Sequence, residues 1–228
     1  MVKSIGRYVK KGYKNTKSMV KKYFKKRGVY GMAKDALSGV QYMHKLINSE
    51  LKSFASGNAA QDVTYNGYVD HLTPMIQGDL HNQRNGMSVL LRYIQIRGNL
   101  KIAGNPDSSV VKIYIVRDKR KLDSTANITA ADLFEVTGSV RTPYTYIPVN
   151  NRGRFQILAT KYIALNKNGK NQQMFNFNIK LTKHTKWQFD SNNKLEGHIY
   201  LVMVSDQDTT AGNPPTVDYD FKTKYHDN

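Results

Sequence analysis

The sequence predicts an all-β fold, a sandwich or a barrel, preceded by a basic helical arm. Three observations carry that prediction. From Val63 onward the convincing segments have strand periodicity, either alternating apolar and polar residues or short continuous apolar runs. No helical period recurs after residue 47. Strand follows strand without intervening helices, which excludes the parallel α/β classes. Residues 1–47 read as the arm and residues 48–228 as one domain, long enough to bury a single substantial core.

The arm concentrates the charge. Twelve Lys/Arg and no acidic residue fall among the first 34 positions, in a chain whose net charge is +18. Lys3, Arg7, Lys10, Lys14, Lys17 and Lys21 recur in steps of four and three, one face of an α-helix. Val2, Ile5, Val9, Thr16, Met19 and Tyr23 fall on the opposite face. The result is an amphipathic helix of roughly 25 residues, about 37 Å long at 1.5 Å per residue. Gly6 and Gly12 each cost it about 1 kcal/mol, so the helix is expected to be ordered by a partner. Residues 30–47 continue a helical period through Tyr30, Ala33, Leu37, Val40, His44 and Ile47, with diluted charge. This second stretch is expected to pack as a short helix under the body.

Asn48 to Asp62 is small and polar, a loop or a first edge strand at Leu51 to Phe54. Val63 to Leu72 is β-rich. Gln77-Gly78-Asp79 and Gln83-Arg84-Asn85-Gly86 then signal two turns. The next strand changes phase, from Val89, Leu91 and Tyr93 to Ile94, Ile96, Leu100 and Ile102, which predicts a β-bulge between Tyr93 and Ile94. Val110 to Val116 is apolar on both faces, as in a central strand. Asp118 to Arg152 is a long, weakly patterned connection, the length of a functional or assembly loop. Strands follow at Phe155 to Leu165, Phe175 to Leu181, Lys186 to Phe189, His198 to Ser205 and Val217 to Tyr225, about eight in all.

Composition narrows the chemistry. There is no cysteine, hence no disulfide framework and no thiolate ligand or nucleophile. No run approaches 18 apolar residues, so no transmembrane helix is expected. The charged start is followed by no apolar run, unlike a signal peptide, and its Lys dominance differs from an Arg- and Ser-rich presequence. No phosphate loop, nucleophile elbow or metal-ligand spacing is present, so no catalytic residue, cofactor or metal site is expected and the chain does not read as an enzyme. Asp206-x-Asp208 and Asp218-x-Asp220 offer too few carboxylates for calcium. Asn127-Ile128-Thr129 fits a glycosylation sequon by chance. In the body, Arg84, Arg92, Arg97, Lys101 and Lys112 read as a solvated face.

A pI near 9.9 calls for a polyanion, either nucleic acid or an anionic membrane surface. The arm favours nucleic acid. Lys3, Arg7, Lys10, Lys11, Lys14, Lys17, Lys21, Lys22, Lys25, Lys26 and Arg27 are its candidate phosphate contacts. Tyr8, Tyr13, Tyr23 and Phe24 interleave with them as candidates for stacking on unpaired bases. The dense run Lys21 to Arg27 also suits a nuclear import receptor.

Several motifs recur here in a suggestive order. Gln-Gly-Asp and Gln-Arg-Asn-Gly open a long strand containing Ile96-Arg97-Gly98, and an apolar strand ends in Arg117-Asp118. A Gly-His-Ile-Tyr-Leu-Val strand starts at Gly197, and the last strand ends in Tyr225-His226-Asp227. Behind a Lys-rich arm, this order resembles the capsid proteins of small circular, Rep-encoding single-stranded DNA viruses, circovirus-like in the broad sense. It is also similar to the satellite tobacco necrosis virus type of coat protein. The resemblance implies a single eight-stranded jelly roll, a β-sandwich. It further implies an icosahedral shell of about sixty identical subunits, with the arms on a single-stranded DNA genome inside and RNA left open as cargo. Localisation would be the virion, with a host-nuclear phase during assembly. The residues alone leave another reading, a non-capsid nucleic-acid-binding protein such as a viral shuttle or movement protein or a ribosome-associated one.

Overall fold

The last strand of the chain lies between the first and the third, and this pairing sets the architecture. The computed structural model describes residues 31, 33–40, 51–102, 107–120, 126–135, 143–188, 192–208 and 214–227. The chain divides into two units, residues 1–49 and residues 50–228. In the first, residues 33–40 are helical, and Leu37 and Val40 are exposed. The other positions named for the arm and the second helix, Lys34 and Ala33 apart, lie outside the described residues.

Among its described residues the second unit holds nine strands: β1 (Leu51–Asp62), β2 (Tyr68–His71), β3 (Ser88–Lys101), β4 (Ser108–Asp118), β5 (Phe155–Asn166), β6 (Gln172–Trp187), β7 (Lys194–Glu196), β8 (Ile199–Ser205) and β9 (Thr216–Asp227). One sheet has the order β1-β9-β3-β6-β7 and the other β2-β8-β4-β5, with antiparallel neighbours throughout. Setting aside the short β7, the pairs β1–β9, β2–β8, β3–β6 and β4–β5 are nested around the β4–β5 connection. That nesting, with the two halves rolled into facing sheets, is a jelly roll.

The eight strands of the expected jelly roll are present, and among the described residues a ninth, β7, lies beside them; its three residues are too few to show a period. Three expectations change. The stretch of small polar residues is a full strand, β1, whereas the run from Val63 yields only Tyr68–His71. Pairing supplies the reason: β1 is an edge strand whose backbone is satisfied by β9, and its small side chains suit the close approach. A Cβ on Gly57 would sit 2.2 Å from the Asp220 carboxylate. Residues 63–67 instead turn the corner, closed by Gly67 at φ +83°. The β3 bulge falls at Arg92, with register shifts against β6 and β9 both between Leu91 and Tyr93. Finally, Lys186 and Trp187 belong to the 16-residue β6 rather than to a strand of their own.

The alternating strands β3, β6 and β9 send Leu91, Ile94, Ile96, Phe175, Val217 and Phe221 inward against Val111, Ile113, Ile115, Leu201 and Met203 of β4 and β8. The continuous apolar runs have a second use. Tyr114, Val116, Tyr200, Val202 and Val204 point away from this core and are covered by Ile128, Ala130, Leu133 and Phe134 of the long β4–β5 connection. That cover is anchored at both ends. Arg154 chelates the fully buried Asp118, with Nε 3.1 Å from Oδ1 and Nη2 2.7 Å from Oδ2, and reaches Asp132 at 2.9 Å. Lys112, expected on a solvated face, is buried against the rings of Tyr114, Tyr162 and Phe134 at 4.7, 5.0 and 5.7 Å. Its ammonium is held by ring faces, which attract a cation more strongly where water is excluded.

At one end of the sandwich the quoted motifs meet. Lys52 Nζ, buried near the start of β1, donates to Asp227 Oδ2 at 2.9 Å, Asn85 Oδ1 at 3.0 Å and Gln83 O at 3.3 Å. Tyr225 Oη donates to the same Gln83 carbonyl at 3.0 Å, and Asn85 N donates to Asp227. Arg84, also expected in solvent, is fully buried; its guanidinium lies 4.7 Å from the Trp187 ring and donates to Gly86 O. Gln-Arg-Asn-Gly and Tyr-His-Asp thus form one clamp around Lys52. Breaking a buried pair by removing one partner costs about 3–5 kcal/mol, because the other charge stays uncompensated. Lys52→Ala is therefore expected to lower urea-unfolding stability by about that much. Lys52→Met combined with Asp227→Leu should recover most of it.

Beside the clamp sits a buried histidine pair. His198 Nε2 donates to Lys186 O at 2.9 Å, which leaves its Nδ1 to accept from His71 Nε2 at 3.1 Å. Thr73 Oγ1 lies 2.9 Å from His71 Nε2, and Trp187 and Tyr200 pack against the rings. Burial holds both imidazoles neutral: His198 is pushed down to about 3, with Lys194, Arg84 and Arg117 adding repulsion, and His71 falls well below its usual range. A depressed imidazole contributes stability that is complete above the unfolded value near 6.5 and is lost as pH falls below it. The expected outcome is acid-sensitive stability between about pH 6.5 and 3, with a slope of up to about 1.4 kcal/mol per pH unit for each histidine. His71→Gln should flatten the urea-midpoint curve over that range; an unchanged slope would remove the pair as its source.

Candidate nucleic-acid interface

The arm residues proposed as phosphate and base contacts, Lys3 through Arg27 with Tyr8, Tyr13, Tyr23 and Phe24, lie outside the described residues. The body adds a surface that the sequence shows only in pieces. Strand alternation puts Asn176, Asn178 and Lys180 of β6, Tyr93, Gln95 and Arg97 of β3, and Asp220, Lys222 and Lys224 of β9 on the phase opposite the core. Register joins them into rows. Tyr93 faces Lys180 on one side and Lys224 on the other; Gln95 lies between Asn178 and Lys222; Arg97 lies between Asn176 and Asp220. Neighbouring strands are about 4.8 Å apart, so each row is a contiguous polar strip.

The bulge adds Arg92 to this surface. Arg92, Tyr93, Gln95, Lys224, His226 and Leu51 line one shallow depression. Among the described residues, Arg92, Arg97, Lys180, Lys222 and Lys224 form no ion pair. Five cations without an ion pair, interspersed with amides, a tyrosine and the Asp220 carboxylate, are suited to binding phosphates along a flexible polyanion. On the opposite sheet, the outer face of β4 and β8 lies beneath the β4–β5 connection.

The other candidates are absorbed by the fold. Arg84 and Lys112 are interior, whereas Arg92, Arg97 and Lys101 are on the surface as expected. Lys101 pairs with Asp218, and Asp218 Oδ1 also accepts from Ala60 N at 2.7 Å, which holds its carboxyl below the usual range. Asp206 Oδ1 accepts from Ser109 Oγ and Val110 N. Among the described residues no group of three or more His, Asp or Glu is placed to hold a metal. Thr129 of the sequon caps a 3-10 turn, and Asn127 accepts from Lys194. No described helix is long and apolar enough to cross a membrane.

The family model described as Geminivirus coat protein/nuclear export factor BR1 family matches residues 2–227. The chain belongs to this family. The match bears out the resemblance to capsid proteins of single-stranded DNA viruses. No curated protein sequence matches the chain. Among solved structures it is similar to naturally occurring empty particles of cowpea mosaic virus (TM-score 0.36, 11% identity, 75% of this chain and 83% of that one). It is also similar to Desmodium yellow mottle tymovirus (0.33, 9%, 78% and 87%) and to the VP2 subviral particle of infectious bursal disease virus (0.31, 12%, 77% and 33%). These scores are low, and the jelly-roll assignment rests on the strand pairing.

Among the described residues this open sheet is the candidate surface for polyanion contact. Exchanging Lys180, Lys222 and Lys224 for Gln is expected to weaken single-strand binding at every sequence. The slope of log K against log salt should fall by about 2, at roughly 0.7 per lost contact. Fluorescence anisotropy of a labelled oligonucleotide over a salt series measures it.

Proposed function

We propose that the chain is a structural coat protein whose copies assemble into a shell and package a single-stranded nucleic acid. The observation that carries this reading is the coat-protein family match over residues 2–227 of a jelly-roll chain whose first 34 residues hold twelve cations and no anion. In this proposal residues 1–47 are the packaging arm and residues 48–228 form the shell domain. Lys and Arg of the arm neutralise phosphates without reading sequence, and its aromatic residues stack on unpaired bases. The basic outer face of the β1-β9-β3-β6-β7 sheet extends the same contact onto the body. No part of the proposed role requires catalysis.

A second reading has a specific source. The family's description couples coat protein with nuclear export factor, and a shuttle protein needs the same affinity for nucleic acid without a shell. Large uniform particles in negative-stain micrographs of the purified protein support the coat reading, and small soluble complexes with nucleic acid support the shuttle. Deleting residues 1–34 is expected to spare folding and particle formation while reducing the absorbance ratio of the particles to that of protein alone. The same deletion should keep the protein out of the nucleus, since it removes the run Lys21 to Arg27. Truncated particles that retain their full nucleic-acid content would make the arm dispensable for packaging.

A further inference from the structure

The basic sheet carries a second depression, of different chemistry, beside Lys222. It has a volume of about 770 Å³ and its walls include Gly57, Arg97, Asn99, Met174, Asn176 and Asp220. The Asp220 carboxylate lies over Gly57, at a place where any side chain there would displace it. Among the described residues it has no hydrogen bond or ion pair. Neighbouring Asp218, by contrast, is already engaged by Lys101 and the Ala60 amide. Asn99 Oδ1 is buried with no hydrogen-bond partner, although Asn99 Nδ2 reaches Gln172. Met174, 82% exposed, is a flexible apolar side chain that the core does not use, and Arg97 next to it forms no ion pair among the described residues.

Each feature asks something of a ligand. Two unused acceptors ask for a donor-rich edge: the buried Asn99 Oδ1, whose unmet hydrogen bond costs free energy that a ligand donor returns, and the exposed Asp220 carboxylate, which accepts charge-assisted hydrogen bonds. Met174 and the Arg97 guanidinium offer an apolar surface and a planar cation on which an aromatic ring can lie. Lys222 and Arg97 provide positive charge for the phosphates on either side. Guanine alone among the bases presents two donors side by side, N1–H and the N2 amino group, at the spacing of a carboxylate's two oxygens. Thymine and uracil offer one donor between two carbonyl oxygens, which a carboxylate repels. In a duplex the guanine edge is occupied by pairing, so only an unpaired base can present it.

We propose that this depression is a guanine-reading subsite for single-stranded nucleic acid, with Asp220 on the Watson–Crick edge, Asn99 Oδ1 as an additional acceptor and Met174 with Arg97 beneath the ring. The inference rests on the nucleic-acid-binding reading above and adds base preference to it. The arm then supplies affinity and this site supplies selection.

The test uses the full chain and labelled 15-mers: oligothymidine, the same strand with one central guanosine, and the same strand with inosine there. The guanosine strand is expected to bind about fivefold to tenfold tighter than oligothymidine at elevated salt, and the inosine strand, lacking the amino group, in between. Asp220→Asn should abolish the preference between the three strands, whatever gain in overall affinity the lost negative charge brings; Asp220→Glu should restore part of the preference. Because Asp220 makes no hydrogen bond or ion pair among the described residues, and Asn has the same shape over Gly57, the Asn variant is expected to fold, and its urea midpoint checks that. Equal binding of all three strands, or a preference that survives Asp220→Asn, overturns the subsite while leaving general binding intact. Asp220-dependent capture of a Lys-rich peptide without any base preference also overturns it, in favour of a basic polypeptide. Failure of every strand to bind overturns the underlying nucleic-acid reading.

Discussion

The buried pair of Lys52 and Asp227 is the constraint around which this molecule is built. It joins the second residue of the first strand to the end of the last, and recruits Gln83 and Asn85 from the turn that starts the third. Without it, β1 would be a small-residue edge strand with weak intrinsic β preference. With it, the start of β1 is tied to the end of β9 and to the turn before β3. The clamp is also costly to leave half made, which gives the turn motif its identity: Asn85 is an acceptor for an ammonium, and Arg84 fills the space beside Trp187.

The two sheets solve opposite problems. Strands β4 and β8 are apolar on both sides, so their sheet needs cover on its outer face, and the long connection supplies Ile128, Leu133 and Phe134 for that purpose. Strands β3, β6 and β9 are apolar on one side only, so their sheet can leave its outer face to solvent, and that face is where the unpaired lysines and arginines collect. The sidedness of the domain therefore follows from which strands alternate and which do not. The long connection, which read as a functional loop, is first of all a lid on hydrophobic strands. Its exposed Tyr144, Tyr146 and Val149 leave it an apolar outer surface as well.

Much of this was legible in the residues because period-2 alternation reports burial directly. Strands β3, β5, β8 and β9 fell within a few residues of their predicted places, and the phase change in β3 marked a bulge one residue from where Arg92 interrupts the ladder. What alternation does not report is pairing. Strand β1 was missed over most of its length because Ser, Gly, Asn and Ala carry no apolar signal; β9 makes it a strand. Charge alone points Arg84 and Lys112 to water, yet long aliphatic stems and a ring face can bury a cation. Lys180, Lys222 and Lys224 each alternate with apolar neighbours, which by itself marks them only as facing solvent. Only the adjacency of β6, β3 and β9 makes them a surface, and adjacency is a property of topology. The depression beside Asp220 is further from the sequence still, since it depends on a glycine in one strand facing a carboxylate in another.

The nested pairing has a consequence for the order of events during synthesis. Leu51 pairs with His226, so the outermost ladder closes across nearly the whole length of the second unit. Contacts of such sequence separation place a domain at the slow end of the folding range, where loop closure must precede reward. At ribosomal rates of about 5–20 residues per second, roughly ten to thirty seconds separate the emergence of β1 from that of β9. Throughout that interval the Lys-rich segment is already outside the ribosome while the strand that will anchor it has no neighbour. A polyanion nearby would thus meet the Lys-rich segment before the sandwich is complete, so in the proposed packaging role attachment need not wait for the fold to close.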